Sequence, residues 1–144
     1  MPQVTRSILI KASPAAVWRW LATQEALRAW ISPNIEIDLR PGGAYRFMGP
    51  DQQTWVSGVV LELLPEREFI LSWTEEGAGW LHPARLVITL AATAEGTEVR
   101  LIHDGFAGVG KPGWEGLVRN YESGATEHRI LETLAGLVTP GVDA

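Results

Sequence analysis

PGWEGLVRNYESGATEHRILETLAGLV, residues 112–138, is the stretch whose reading decides the fold. Within it Trp114, Leu117, Tyr121, Gly124, His128, Leu131, Ala135 and Val138 recur at alternating three- and four-residue steps, so they share one face of an α-helix. Pro112 stands near the start and Pro140-Gly141 follow the end, where helix boundaries tolerate them. At 1.5 Å per residue such a helix is about 40 Å long, enough to cross a whole sheet. A coiled coil would give the same period. Gly124, His128 and Ala135 interrupt the seam, however, and strands upstream need one face covered, so packing on a sheet is expected.

Upstream of this helix the period shortens to two. Ile35, Ile37 and Leu39 alternate with Glu36 and Asp38, and Pro41-Gly42-Gly43 turns the chain into residues 44–48. Gly49-Pro50-Asp51 turns it again into residues 55–64. Pro65-Glu66-Arg67 then separates these from 69–74, where Phe69, Leu71 and Trp73 share a face. After a loop through Gly77, Gly79 and Pro83, Leu86, Ile88 and Leu90 alternate with Val87 and Thr89. Beyond a hairpin turn at Glu95-Gly96, Val99 and Leu101 alternate with Glu98 and Arg100. Six strands at short spacing describe an antiparallel meander with one solvated face.

The chain opens on a further strand over residues 4–11. Ser13-Pro14 starts a short helix, with a hydroxyl cap and a proline at the first helical position, and Val17, Trp18 and Leu21 share a face. Thr23 caps a second short helix that carries Leu27 and ends around Trp30, before Ser32-Pro33. Two helices thus stand where a simple meander would place a hairpin. The expected class is α+β: about seven strands in the order β-α-α-β6-α, with the long helix last. No repeat, linker or second domain interrupts residues 1–144, and one domain is expected.

Composition narrows the function classes. A chain of 144 residues can bury roughly 70% of its unfolded surface and still enclose a pocket. The net charge of −5, without a basic stripe, argues against nucleic acid as a partner. Absence of cysteine removes disulfides, thiolate metal sites and cysteine nucleophiles, and suits a reducing, cytoplasmic setting. No apolar run reaches the roughly 18 residues of a spanning helix. Seven tryptophans require either a core or a ligand cavity to cover them.

Several segments together resemble one family. They are Ala12-Ser13-Pro14-Ala15-Ala16-Val17-Trp18, Leu27 to Trp30, Pro41-Gly42-Gly43, Gly58 to Pro65 followed by Phe69 to Trp73, Gly96-Thr97, His103-Asp104-Gly105-Phe106, and Gly113-Trp114. In that order and spacing the chain is similar to the START-like (SRPBCC, Bet v 1-like) superfamily, and within it to the branch of the activator of the heat-shock protein 90 ATPase. The resemblance implies the helix-grip fold, a curved sheet wrapped around the C-terminal helix with an apolar cavity between them. Because that superfamily hosts carriers, cyclases, receptors and co-chaperone domains, it constrains fold more than function. Members of this branch usually carry leucine-type residues through the middle of the long helix. Tyr121, Gly124 and His128 stand there instead, which implies a cavity more polar at that level and roomier at Gly124.

Candidate chemistry is sparse. His82, His103 and His128 lack metal-ligand spacing, there is no phosphate loop, and no nucleophile elbow occurs, so no metal, cofactor or catalytic set is assigned. His128 lies on the apolar stripe, either as a hydrogen-bonding group for a ligand or as a core histidine with a neighbouring partner. Tyr121 is read equally as a ligand anchor or as packing. His103 shares parity with Val99 and Leu101 and so belongs to the inner face, whereas Asp104 serves the turn at Gly105. Arg46 and Glu62 are expected on the solvated face, because unpaired buried charge is costly. Trp73, Trp80 and Trp114 are candidates for pocket walls, and Trp30 for a gate.

These readings favour a non-enzymatic protein that binds a small hydrophobic or aromatic molecule between sheet and helix, oriented by Tyr121, His128 and His103. A co-chaperone-like interaction module is the alternative that the resemblance implies. An enzyme of cyclase or hydrolase type using His128 and Tyr121 ranks third, since two helical turns separate those groups by about 10 Å. A homodimer through exposed sheet edges or helices is compatible with the pattern.

Overall fold

The computed structural model describes residues 3–49, 52–110, 112–128 and 130–138, with side chains for all of these except 120 and 123–128. Seven strands form one antiparallel sheet: β1 (Val4–Ile10), β2 (Glu36–Ile37), β3 (Ala44–Met48), β4 (Trp55–Leu64), β5 (Glu68–Glu75), β6 (Ala84–Thr93) and β7 (Gly96–Asp104). Their spatial order is β1-β7-β6-β5-β4-β3-β2. Two short helices, α1 (Pro14–Trp18) and α2 (Gln24–Arg28), carry the chain from β1 at one edge to β2 at the other. A hairpin could not make that crossing, which is why the helix pair replaces one. A 3-10 turn at Phe106–Gly108 leads to the helical stretches α3 (Trp114–His128) and α4 (Ile130–Leu137), which lie on either side of residue 129, outside the described residues, over the span where one long helix is expected. The sheet is curved and the whole is the helix-grip α+β arrangement.

The helix starts form as their sequences dictate. Ser13 Oγ accepts from the Ala16 N–H at 3.2 Å with Pro14 behind it, and Thr23 Oγ1 accepts from the Ala26 N–H at 3.1 Å. Both helices bury their apolar side: Val17, Leu21 and Leu27 are fully covered. The second helix ends at Arg28, slightly earlier than its apolar spacing predicts.

Alternation along the strands sorts the sheet faces. Phe69, Leu71 and Trp73 of β5, Leu86, Ile88 and Leu90 of β6, and Val99, Leu101 and His103 of β7 are buried on the inner face. In register, Leu71, Leu86, His103 and Val4 form one row across four strands. Against this face α4 lays Leu131 and Leu134, with Val138 just beyond it, and α3 adds Leu117, Val118 and Tyr121. Each fully buried side chain of this kind contributes about 1.5–3 kcal/mol of apolar burial. Arg6 of β1 ties α4 from the sheet side, its Nη2 lying 2.7 Å from Glu132 Oε2.

Two departures from simple alternation matter. β2 is only two residues long although Ile35 to Leu39 alternate, and the Ile37 N–H on its outer edge is taken at 2.8 Å by Gln24 Oε1. A side chain of α2 thus covers an outward amide of this edge strand and shields it from further pairing. In β4 the register shifts between Val60 and Glu62, leaving Leu61 as an exposed bulge residue. Arg46 is on the outer face, bound to Glu76 and stacked 3.9 Å over the Trp55 ring, and Glu62 sits opposite Ile70. Among the described residues no helix is long and apolar enough to cross a membrane.

Candidate functional site

Where β5, β7 and α3 meet, the inner face turns from aliphatic to aromatic. Parity along β5 brings Trp73 inward, and parity along β7 does the same for His103. Gly105, at φ 86°, then reverses the chain so that Phe106 returns beneath His103. Tyr121 closes the group from the helix side. His103 is the hub: its ring centroid lies 4.6 Å from Trp73, 4.6 Å from Tyr121 and 4.8 Å from Phe106. Phe106 stacks on Tyr121 at 5.2 Å, and Phe47 and Tyr45 of β3 extend the cluster beyond Trp73.

Hydrogen bonds thread this apolar setting. The Trp73 Nε1–H donates to Tyr121 Oη at 2.9 Å, and the Tyr121 hydroxyl donates in turn to Glu75 Oε2. Tyr45 donates to the Ser72 carbonyl at 2.6 Å. Burial pushes both phenols well above their ordinary range, and for Tyr121 the neighbouring Glu75 carboxylate adds to the effect. Both stay neutral. Burial also drives the His103 imidazole down to about 3, against a weaker upward pull from Asp104. Asp104 itself is bound by Arg85 at 2.8 Å.

Two buried polar atoms have no hydrogen-bond partner among the described residues: His103 Nε2 and Trp80 Nε1. Native proteins rarely leave such groups unpaired, so each asks what else it meets.

Trp73, His103 and Tyr121, read as candidates from the sequence, are therefore brought together. Trp80 lies in the β5–β6 loop, half-buried against the core, and Trp114 is half-buried at the start of α3. Trp30 is 5% exposed and donates its Nε1–H to the Trp20 carbonyl at 2.8 Å. Gly124 and His128 belong to the α3 backbone, but their side-chain positions fall outside the described residues. Sequence reasoning passed over Glu75, Phe106, Phe47 and Tyr45. Glu75 has the strand parity of Trp73 and could have been found by it; Phe106 follows a glycine turn and has no periodic signal. Among the described residues no group of three or more His, Asp or Glu side chains could hold a metal ion.

Chemically, the cluster offers stacking surfaces and fixed hydrogen-bonding atoms. Burial displaces the Tyr45 and Tyr121 phenols and the His103 imidazole from the neutral range in which acid–base transfer is efficient.

Comparison with known proteins places this geometry in a family. The model of the family described as activator of Hsp90 ATPase homolog 1-like protein matches residues 11–122. No curated protein matches the chain in sequence. Among solved structures, the Aha1 dimer from Colwellia psychrerythraea is similar with a TM-score of 0.75 and 17% identity, over 98% of this chain and 99% of that one. Protein CV1439 from Chromobacterium violaceum gives 0.71 and 22% identity over 96% and 98% of the two chains. Protein MLL2253 from Mesorhizobium loti gives 0.74 and 18% over 94% and 95%. At such identities the likeness is one of fold.

Proposed function

The chain belongs to the family of activator of Hsp90 ATPase homolog 1-like proteins, and on that premise we propose that it holds a small apolar or aromatic molecule between the inner face of its sheet and α3. The observation that carries this reading is His103: a buried imidazole ringed by Trp73, Phe106 and Tyr121, with Nε2 unpartnered. An unmet polar atom in an apolar wall costs about 1–3 kcal/mol, and a ligand that meets it recovers that cost. Burying about 100–200 Å² of ligand surface would add about 3–5 kcal/mol. The cytosol suits a chain without cysteine.

Native mass spectrometry of freshly purified protein tests the proposal. A retained small molecule, or a melting temperature that rises with an added aromatic compound, is the expected result. A spectrum of bare protein, with no compound shifting its melting, would overturn it.

A second reading, a co-chaperone-like interaction module, is favoured by the family description and by the exposed β4 side chains Val59, Leu61 and Leu64. It predicts stimulation of the ATPase of a heat-shock protein 90, and an unaltered ATPase rate sets it aside. The same native spectrum reports assembly, for which the dimer of the Colwellia relative supports a homodimer.

A further inference from the structure

The hydrogen-bond directions in the aromatic cluster say more about what it would accept. This inference rests on the ligand-binding reading. Each donor of the cluster with a mapped partner is already spent: Trp73 N–H on Tyr121, Tyr121 O–H on Glu75, Tyr45 O–H on the Ser72 carbonyl. The thread runs one way and ends on a carboxylate. Glu75 Oε1 has no hydrogen bond among the described residues, and Tyr121 Oη keeps a second lone pair. Trp80, whose N–H is unspent, makes no ring contact with the cluster among the described residues.

Charge points the same way. Glu75 is half-buried at the rim, beside Trp73 and Tyr121. The arginines bordering this region are committed elsewhere: Arg46 to Glu76 and the Trp55 ring, Arg85 to Asp104. An anionic head group would thus meet a carboxylate and the negative faces of aromatic rings, with neither of these two guanidinium groups free to receive it. A cationic head group would meet the opposite on both counts, at a position where it keeps part of its hydration.

We infer that the site selects a protonated amine with a flat apolar body: the ammonium on Glu75 Oε1, the body over Trp73, Tyr121 and Phe106 toward His103 Nε2. Selectivity against carboxylates follows from the same residues.

Three probes that share an indole body and differ in head group test it: tryptamine (ammonium), tryptophol (hydroxyl) and indoleacetate (carboxylate). Isothermal titration of the intact chain should show tryptamine binding at least about tenfold more tightly than tryptophol, and indoleacetate more weakly still. Glu75→Gln keeps an acceptor for Tyr121 and removes the charge. It should collapse the preference for tryptamine over tryptophol to within about twofold. Circular dichroism of that variant confirms that the fold is intact. Indoleacetate binding as tightly as tryptamine, or a preference that survives Glu75→Gln, overturns the inference. Binding of all three with equal affinity overturns it too, while upholding ligand binding itself. Failure of all three up to their solubility limits, with nothing retained in the native spectrum, overturns both.

Discussion

An imidazole buried without a partner is a burden on the folded chain that an aliphatic side chain at the same place would not impose. Burial holds His103 down to about 3, from an ordinary 6.5. Between those values the unfolded chain binds a proton that the folded chain does not. Stability from this position is therefore complete above about pH 6.5 and is lost as pH falls toward 3, by about 1.4 kcal/mol per pH unit. Urea denaturation at about pH 7.5 and about pH 5 should show wild type losing about 2 kcal/mol that His103→Leu retains. At neutral pH the same variant should be more stable by about 1 kcal/mol, since it removes an unmet polar atom. It should nonetheless bind tryptophol more weakly, and a titration checks whether stability and binding move in opposite directions as a functional residue requires. At this scale the sequence was informative where parity was clean: His103, Trp73 and Tyr121 could be placed inward from their neighbours. Glu75 was passed over because a charge at a strand end reads as solvated, and its partner Tyr121 lies 46 residues away. Trp30 shows the converse, a large ring near a helix end whose N–H is met locally by the Trp20 carbonyl.

Elements were legible wherever period and punctuation agreed, and less so where a side chain from elsewhere intervened. Ser13-Pro14 and Thr23 announce their helices, and both caps form. Alternation over Ile35 to Leu39 announces a longer strand than β2, and nothing local reveals that Gln24 will reach the Ile37 amide. The bulge at Leu61 is likewise invisible, since it is a mismatch between two strands. The β4–β5 pair supplies the sharpest test of element packing. A Cβ at Gly58 would lie 2.3 Å from the Ser72 carbonyl oxygen, an atom that also receives the Tyr45 hydroxyl. Ser72 Oγ is committed to the Val59 N–H at 2.9 Å, so the neighbour cannot simply rotate away. Backbone must move. Gly58→Ala should destabilise the chain by about 3 kcal/mol, large for the addition of one methyl group, and a chemical denaturation midpoint measures it. A near-neutral result would mean that β4 and β5 separate here at little cost.

The architecture followed from the order of periods, one strand, two helices, six strands and a long helix, while curvature came only through the family resemblance. How the long helix is held to the sheet was not readable, because the holding groups are far apart in sequence and none is periodic. At its C-terminal half α4 is secured by Leu131 and Leu134 and by Arg6 with Glu132. On α3 the Tyr121 hydroxyl makes a polar attachment to the sheet: it accepts from Trp73 and donates to Glu75 of the same strand. Tyr121→Phe keeps the ring in its stack on Phe106 and removes both bonds. That leaves the Trp73 N–H unpaired in a half-buried place, a loss of about 1–3 kcal/mol. The cost should fall on the docking of α3 and not on the sheet, whose ladders are untouched. Hydrogen exchange should accordingly rise in α3 of Tyr121→Phe while β5, β6 and β7 keep wild-type protection. A ligand seated between Glu75 and the rings would replace part of the lost attachment, so added tryptamine should restore protection to α3 more fully than tryptophol does. Uniform loss of protection across sheet and helix would instead show that α3 and the sheet open as one unit, and that the hydroxyl is not what couples them.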